Sequence, residues 1–393
     1  MITMTNLYIE PTTHCNLNCQ MCSRNQWKNE EIGHMTLATF RQMMSNLPKS
    51  VHRIFFGGVG EPLSHPQIIQ MVEEAKATGR TVGLITNGTL LEEEISQALI
   101  KAQLDELWVS MDSMHEEGIE RQRDSKVEEE GARECEERLT TKSNVLENLK
   151  GFILNVPDRY IGLYNIDSKE IRDMKIGIAF VLMQSNLNQF KELVKNARNM
   201  GISEIKATHL IPYDTRQLPE ICYERILGTG MYQEGNRSMT HLNLPLMEGQ
   251  FLNSEMSGEQ LIGSNLSVSI LETPIYRRKN WCKFIAEGYV FVRWDGEVSP
   301  CVALLHDNHV IQQGAYRYNR CCSYGNVKAS TLLEIWNNEE YEKFRQRVMD
   351  FDFSPCVTCG PCDLFENNET DCEGSPFPTC GACLWAEGLF QCP

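Results

Sequence analysis

Along roughly its first half the chain alternates two kinds of pattern. Short apolar or β-branched runs, Leu7 to Glu10, Arg53 to Phe56, Thr81 to Thr86, Glu106 to Ser110, Ile176 to Leu182 and Glu204 to Ala207, have the length and make-up of buried strands. Between them apolar residues return at helical spacing, as in Ile68, Val72 and Ala75, or Leu193, Ala197 and Met200. Each of these helices hands over at a glycine, Gly79 or Gly201, suited to a left-handed C-terminal cap. Strands that alternate with helices of this length pair in parallel through right-handed crossovers. Six such units fit before residue 212, so the expected fold class is α/β, a partial (β/α)6 TIM-like barrel.

In such a barrel the chemistry lies beyond the C-terminal ends of the strands. The unusual residues fall there: Cys15, Cys19 and Cys22 after the first strand, Gly57-Gly58-Val59-Gly60-Glu61-Pro62 after the second, Asn87-Gly88 after the third, and Ser110 with Asp112 at the end of the fourth. Ser110 and Asp112 suit ligand contacts, although Asp after a strand is also a common helix cap. His209 ends the sixth strand, as a substrate contact, a proton carrier or a side chain satisfied by its neighbours. Glu116 to Lys142 breaks the rhythm with dense charge and reads as a solvated insertion holding a free thiol, Cys135. Cys222 reads as a small buried hydrophobe.

Further on, Tyr289 to Trp294 alternates, Asp295-Gly296 supplies a two-residue turn, and Glu297 to Ser299 returns the chain. That hairpin brings Cys282 and Cys301 together. Leu332, Ile335, Trp336 and Phe344 mark an amphipathic helix before a cysteine-rich end. The expected division is a core over 1–212, a connecting segment over 213–281 and a small cysteine-rich domain over 282–393.

Composition narrows the function. A net charge of -16 over 393 residues disfavours attraction to nucleic acid phosphates. No run approaches the roughly 18 apolar residues of a membrane span, and the start of the chain lacks the basic and apolar regions of an export signal, so a cytoplasmic protein with no membrane partner is expected. Against that background 16 cysteines are an anomaly, 11 of them after residue 281. Thiols clustered in a reducing compartment favour metal ligation over a disulfide-stapled tail.

Cys15, Cys19 and Cys22 share one short loop, enough to hold three irons of a cubane and leave the fourth without a protein ligand. The rival is a zinc ion closed by His14, although structural zinc normally takes paired knuckles. Cys15-Asn16-Leu17-Asn18-Cys19-Gln20-Met21-Cys22, followed by Gly57 to Pro62, resembles the radical S-adenosylmethionine (SAM) superfamily. The resemblance implies a 4Fe-4S cluster on the three cysteines, SAM chelating the open iron, and reductive cleavage to a 5'-deoxyadenosyl radical. It also places Gly57, Gly58, Gly60 and Glu61 around the methionine part of SAM, with Ser110 and Asp112 near its ribose or carboxylate. Glycines fit that task because they let backbone approach a ligand closely.

Residues 282 to 393 resemble the SPASM extension of such enzymes, which implies auxiliary 4Fe-4S clusters beside the barrel mouth. Two cubanes need eight thiolates and this tail offers 11. The favoured ligands are Cys282, Cys301, Cys356, Cys359, Cys380, Cys383 and Cys392, with Cys362 and Cys372 next; the adjacent Cys321 and Cys322 do not both ligate. Structural zinc is the rival for the group from Cys356 to Cys392.

A finer resemblance rests on Asn367 to Cys372, Pro378 to Gly388, Gln391-Cys392-Pro393, Glu10-Pro11-Thr12 and Ser110-Met111-Asp112-Ser113. These segments look like the radical SAM maturases associated with tungsten-cofactor oxidoreductases. What the resemblance implies is maturation of a tungstoenzyme or its pterin cofactor, fed by a ferredoxin or flavodoxin. Two alternatives stand beside it: a SPASM maturase acting on a peptide, protein or sulfatase, and a non-catalytic electron-transfer scaffold.

Overall fold

The computed structural model describes residues 2–27, 30–112, 145–156, 174–197, 199–224, 246–247, 267–269, 281–312, 314–356, 362–386 and 390. The expected insertion at 116–142 and the thiols of Cys135, Cys359 and Cys392 lie outside them.

The six expected strands form as β1 (Asn6–Ile9), β2 (Arg53–Phe56), β3 (Thr81–Thr86), β4 (Glu106–Ser110), β5 (Lys175–Leu182) and β6 (Glu204–His209). Each pairs in parallel with the next, in registers such as Asn6 with Arg53, Ile54 with Val82 and Leu182 with His209. Their C-terminal ends therefore share one rim. The crossover helices α1 (Leu37–Ser45), α2 (Ile68–Lys76), α3 (Glu93–Lys101), α4 (Val145–Asn155) and α5 (Leu187–Ala197) bury apolar faces on the sheet. Gly79 at φ +76° and Gly201 at φ +78° adopt the left-handed conformation their positions imply.

The sheet is larger than six strands. Past short β7 (Tyr223–Glu224) and β8 (Leu246–Met247), which pair with each other, β9 (Ser267–Ser269) adds in parallel to β6. After α6 (Lys283–Ala286), β10 (Tyr289–Val292) adds in parallel to β1, Asn6 facing Tyr289, and β11 (Val298–Ser299) returns antiparallel beside it. This is the expected hairpin, with Gly296 at φ +94° in its turn. The resulting order is β11-β10-β1-β2-β3-β4-β5-β6-β9.

A second hairpin, β12 (Asn308–Gln312) with β13 (Ala315–Asn319), packs against the loop that follows β1, and α7 (Leu332–Trp336) and α8 (Glu339–Asp350) follow, with Trp336 Nε1 donating to Ile2 O at 3.4 Å ahead of β1. The capping box of Thr331 with Glu334 starts α7, and Asn338 caps α8. Among the described residues no helix is long and apolar enough to cross a membrane.

Candidate active site

The three-cysteine loop leaves β1 and is fixed from two neighbouring loops. Thr12 Oγ1 donates to Gly33 O at 3.0 Å and accepts from His14 N at 2.9 Å. Glu61 N donates to His14 O at 2.7 Å. Asn87 Nδ2 reaches Asn16 Oδ1 at 3.0 Å and Cys15 Sγ at 3.8 Å, while Asn16 Nδ2 donates to Thr89 Oγ1 at 2.7 Å. Cys22 N donates to Cys19 O at 3.0 Å, turning the chain so that the third thiol comes back toward the first. Burial pushes the Cys15 and Cys22 thiols up; Glu61 and Cys22 add to this at Cys15, and Arg24 opposes it at both. Binding of a cationic iron group would displace those protons. His14, which would have to close a zinc site, stacks on His34 with ring centroids 4.4 Å apart.

Gly60 lies so close to this loop that a Cβ there would sit 2.2 Å from Thr12 O and 2.7 Å from His14 O, both backbone atoms. Gly60→Ala must therefore displace the backbone that carries Cys15. We expect it to cut iron incorporation at the three-cysteine site and to lower SAM cleavage at least tenfold, while iron bound to the C-terminal cysteines stays unchanged. Gly57 and Gly58 are as tightly placed, a Cβ meeting Tyr8 Oη at 2.1 Å and Glu10 Cγ at 2.5 Å respectively.

Glu61 is 2% exposed. Its Oε1 accepts from Leu63 N at 2.9 Å and Thr86 Oγ1 at 2.7 Å, and its Oε2 from Asn87 N at 2.6 Å. The carboxylate thus joins the second and third loops. Asp112 is likewise buried, with Oδ1 accepting from Val181 N at 3.0 Å and its carbonyl from Asn186 Nδ2 at 3.1 Å, which straps β4 to the end of β5. Ser110 stands partly exposed at the end of β4. His209 is buried, and burial pulls its pKa down to about 4, so the ring is neutral near pH 7. Cys222 packs, half-buried, against the core.

The C-terminal thiols separate into two groups. Cys282, Cys301, Cys380 and Cys383 line one small cavity of about 20 Å³, walled by apolar residues such as Phe284, Phe344 and Val348. Burial drives the Cys301 and Cys380 thiols far up, and mutual repulsion among the four adds to it. Cys356, Cys362 and Cys372 form a second, more exposed group; burial is the main cause that pushes the Cys356 thiol up, Arg317 opposes it, and Asp371, Cys372 and Cys362 add to it. Neither Cys321 nor Cys322 lines the four-thiol cavity; the first backs onto Asp307, whose Oδ1 accepts from Cys321 N at 2.7 Å, and the second is buried. Burial is the main cause that pushes each of these two up to about 11. Among the described residues no three His, Cys, Asp or Glu side chains converge as closely as one metal ion requires.

A cavity of about 150 Å³ lies between the first loops and the four-thiol group. Ser23, Trp27 and Val59 line it on one side, Cys301, His306 and Cys383 on the other. His306 Nε2 stands 2.8 Å from Glu10 Oε2, and the other oxygen of Glu10 accepts from Val59 N at 3.1 Å. This pair joins residues 296 positions apart, which no local pattern marks: Glu10 stands out only as the end of the first strand and in a motif, and His306 not at all.

Comparison with known proteins agrees with this geometry. Residues 9–175 match the family model of the Radical SAM superfamily, and residues 282–363 match that of the SPASM iron-sulfur cluster-binding domain. A tungsten-containing aldehyde ferredoxin oxidoreductase cofactor-modifying protein from Pyrococcus furiosus is 28% identical, over 99% of this chain and 97% of its own length. The PqqA peptide cyclase of Gluconobacter oxydans is 24% identical over 90% of this chain and 82% of its own. Among solved structures, Streptococcus suis SuiB bound to S-adenosylmethionine superposes with a TM-score of 0.56 at 14% identity, covering 87% of this chain and 68% of that one, a likeness of fold. With the three-cysteine loop and the glycine loop on one rim and the cysteine-rich domain against it, the chain is a radical SAM enzyme that carries a SPASM domain.

Proposed function

We propose that this enzyme matures a tungsten-dependent oxidoreductase, acting on its pterin cofactor or on the polypeptide that holds it. The observation that carries the reading is the match to the Pyrococcus furiosus cofactor-modifying protein along nearly the whole of both chains, C-terminal domain included. Cys15, Cys19 and Cys22 would hold the SAM-binding 4Fe-4S cluster, and the glycines at 57, 58 and 60 let the second loop pack directly against β1 and the three-cysteine loop. When bound, the reduced cluster supplies the electron that splits SAM into methionine and a 5'-deoxyadenosyl radical. Glu61 and Asp112 act by holding the loops, through the hydrogen bonds described above.

The cavity beside Val59 is the place for the reacting part of the substrate, with Trp27 and Trp385 in its wall to exclude water. Cys282, Cys301, Cys380 and Cys383 would hold one auxiliary cluster, and Cys356, Cys362 and Cys372, with Cys359 between them in sequence, the other. That leaves Cys321, Cys322 and Cys392 of the 11 spare. A strongly reducing donor, a ferredoxin or flavodoxin in the cytoplasm, fits the low end of the potentials such clusters reach.

The test is activation. A tungsten aldehyde oxidoreductase produced without this chain should gain activity when incubated anaerobically with the reconstituted enzyme, SAM and a reductant. A tungstoenzyme already fully active without the treatment would reject the reading. Peptide modification is the second reading, favoured by an open cleft of about 810 Å³ outside the cavity, lined by Trp27, Trp294, Tyr316 and Tyr318 together with Glu30 and Glu31. Such a cleft could seat an extended chain.

A further inference from the structure

Outside the cluster-bearing loops, the wall of the inner cavity contains a buried acid-base unit. His306 is 6% exposed and Glu10 is fully buried. The contact of 2.8 Å between Nε2 and Glu10 Oε2 puts the imidazole proton on Nε2, because a carboxylate oxygen can only accept. In the neutral ring Nδ1 is then the lone-pair nitrogen. Nδ1 is buried and has no hydrogen-bond partner among the described residues, and the ring it belongs to lines the cavity. Glu30 Oε2 lies 3.6 Å from Nδ1, too far for a hydrogen bond but near enough to favour a charge there. The Trp27 ring covers the imidazole at 4.7 Å between centroids.

The other charged groups around this ring are occupied. Arg293 is bound to Asp295 at 2.5 Å and donates to Leu305 O at 3.2 Å. Asp307 accepts from Tyr318 Oη at 2.5 Å and from Cys321 N at 2.7 Å. Burial works against the imidazolium, but the Glu10 charge and its hydrogen bond outweigh burial and the opposing Arg293, with Glu30 assisting, so the ring is held above its ordinary pKa. The resulting contribution to stability is complete below pH 6.5 and fades as pH climbs through the higher folded value.

We propose that His306 is the proton acceptor of the reaction cavity. This rests on the radical SAM reading of the site and names one of its catalytic residues. A substrate N–H, O–H or S–H placed in the cavity gives its proton to Nδ1: the X–H bond breaks with its electron pair left on X, and an N–H bond forms. No electron is gained or lost in this step. Glu10 and Glu30 face the imidazolium from its two sides. Glu30, which also lines the outer cleft, steadies the imidazolium by its charge, and the proton passes from Nδ1 to solvent when product leaves the cavity, restoring the neutral ring.

Two measurements on the full-length reconstituted enzyme test this. Deuterium uptake at Cε1 of His306, followed across pH by mass spectrometry, should show a midpoint above 6.5 that shifts downward in Glu10→Gln. With the tungstoenzyme as substrate, His306→Ala at wild-type iron content should lose activation about 100-fold. Added imidazoles should then restore it in order of their basicity. A wild-type midpoint at or below 6.5, a loss of less than a few fold, or a loss that no imidazole repairs would overturn the assignment. Should His306→Ala not fold, the Glu10→Gln titration decides. If the wild type cleaves SAM but never activates the tungstoenzyme, the substrate reading has failed and His306 stands or falls on its titration.

Discussion

Cys19→Ala should abolish formation of 5'-deoxyadenosine from SAM and dithionite, while about eight irons per chain should remain bound at the C-terminal cysteines. The loop gives the reason. Cys19 is the middle of three thiols, and its carbonyl accepts both Cys22 N at 3.0 Å and Asn25 Nδ2 at 2.7 Å, so the backbone stays ordered without the side chain. Only the ligand is lost. Anaerobic reconstitution, iron and sulfide analysis and product chromatography measure both halves of the result. Product at the wild-type level in this variant would reject the three-cysteine site as the place of SAM cleavage.

The second large effect belongs to the buried four-thiol group. Cys380→Ala should remove about four irons and lower the thermal unfolding midpoint sharply, because metal affinity at a site of this sort is also folding energy. Cys380 packs against the main core, and Gly381 beside it would bring a Cβ within 2.0 Å of Ser354 O, so the site sits in closely fitted surroundings. Cys321→Ala makes the comparison: lying outside the four-thiol cavity, it should leave iron content and the unfolding midpoint unchanged. Equal iron loss in the two variants would break the proposed partition.

Much of the core was legible because its signals are local. The ranges of β2 and β3 and the left-handed glycines at 79 and 201 follow from short runs and their punctuation. The same holds for the hairpin turn at Gly296, and for the three-cysteine loop, whose spacing is read in one stretch of eight residues. What stayed hidden depends on partners far apart. The pairing of Asn6 with Tyr289 that enlarges the sheet leaves no mark in either segment, since an apolar strand looks the same whichever neighbour it finds. Cysteine spacing marks pairs such as Cys380 and Cys383 but cannot say that Cys282 and Cys301 complete their group. Cys362 and Cys372, ranked after Cys392 from sequence, meet Cys356 in the structure. From sequence Glu61 and Asp112 are expected to contact SAM; the hydrogen bonds they accept from Asn87 N and Val181 N, which join loops and strands, leave no mark in the sequence.

The union of β10 with β1 bears on how far the two halves are separable. All four residues of β1 are buried, and its outer amides and carbonyls are matched by Tyr289 to Val292. Cutting the chain ahead of Cys282 would bare a flat apolar edge with unmet hydrogen-bonding groups, a template for self-association. The cluster-rich half therefore also serves as a guard on the barrel's first strand, and autonomy of the amino-terminal half would require a substitute for that guard.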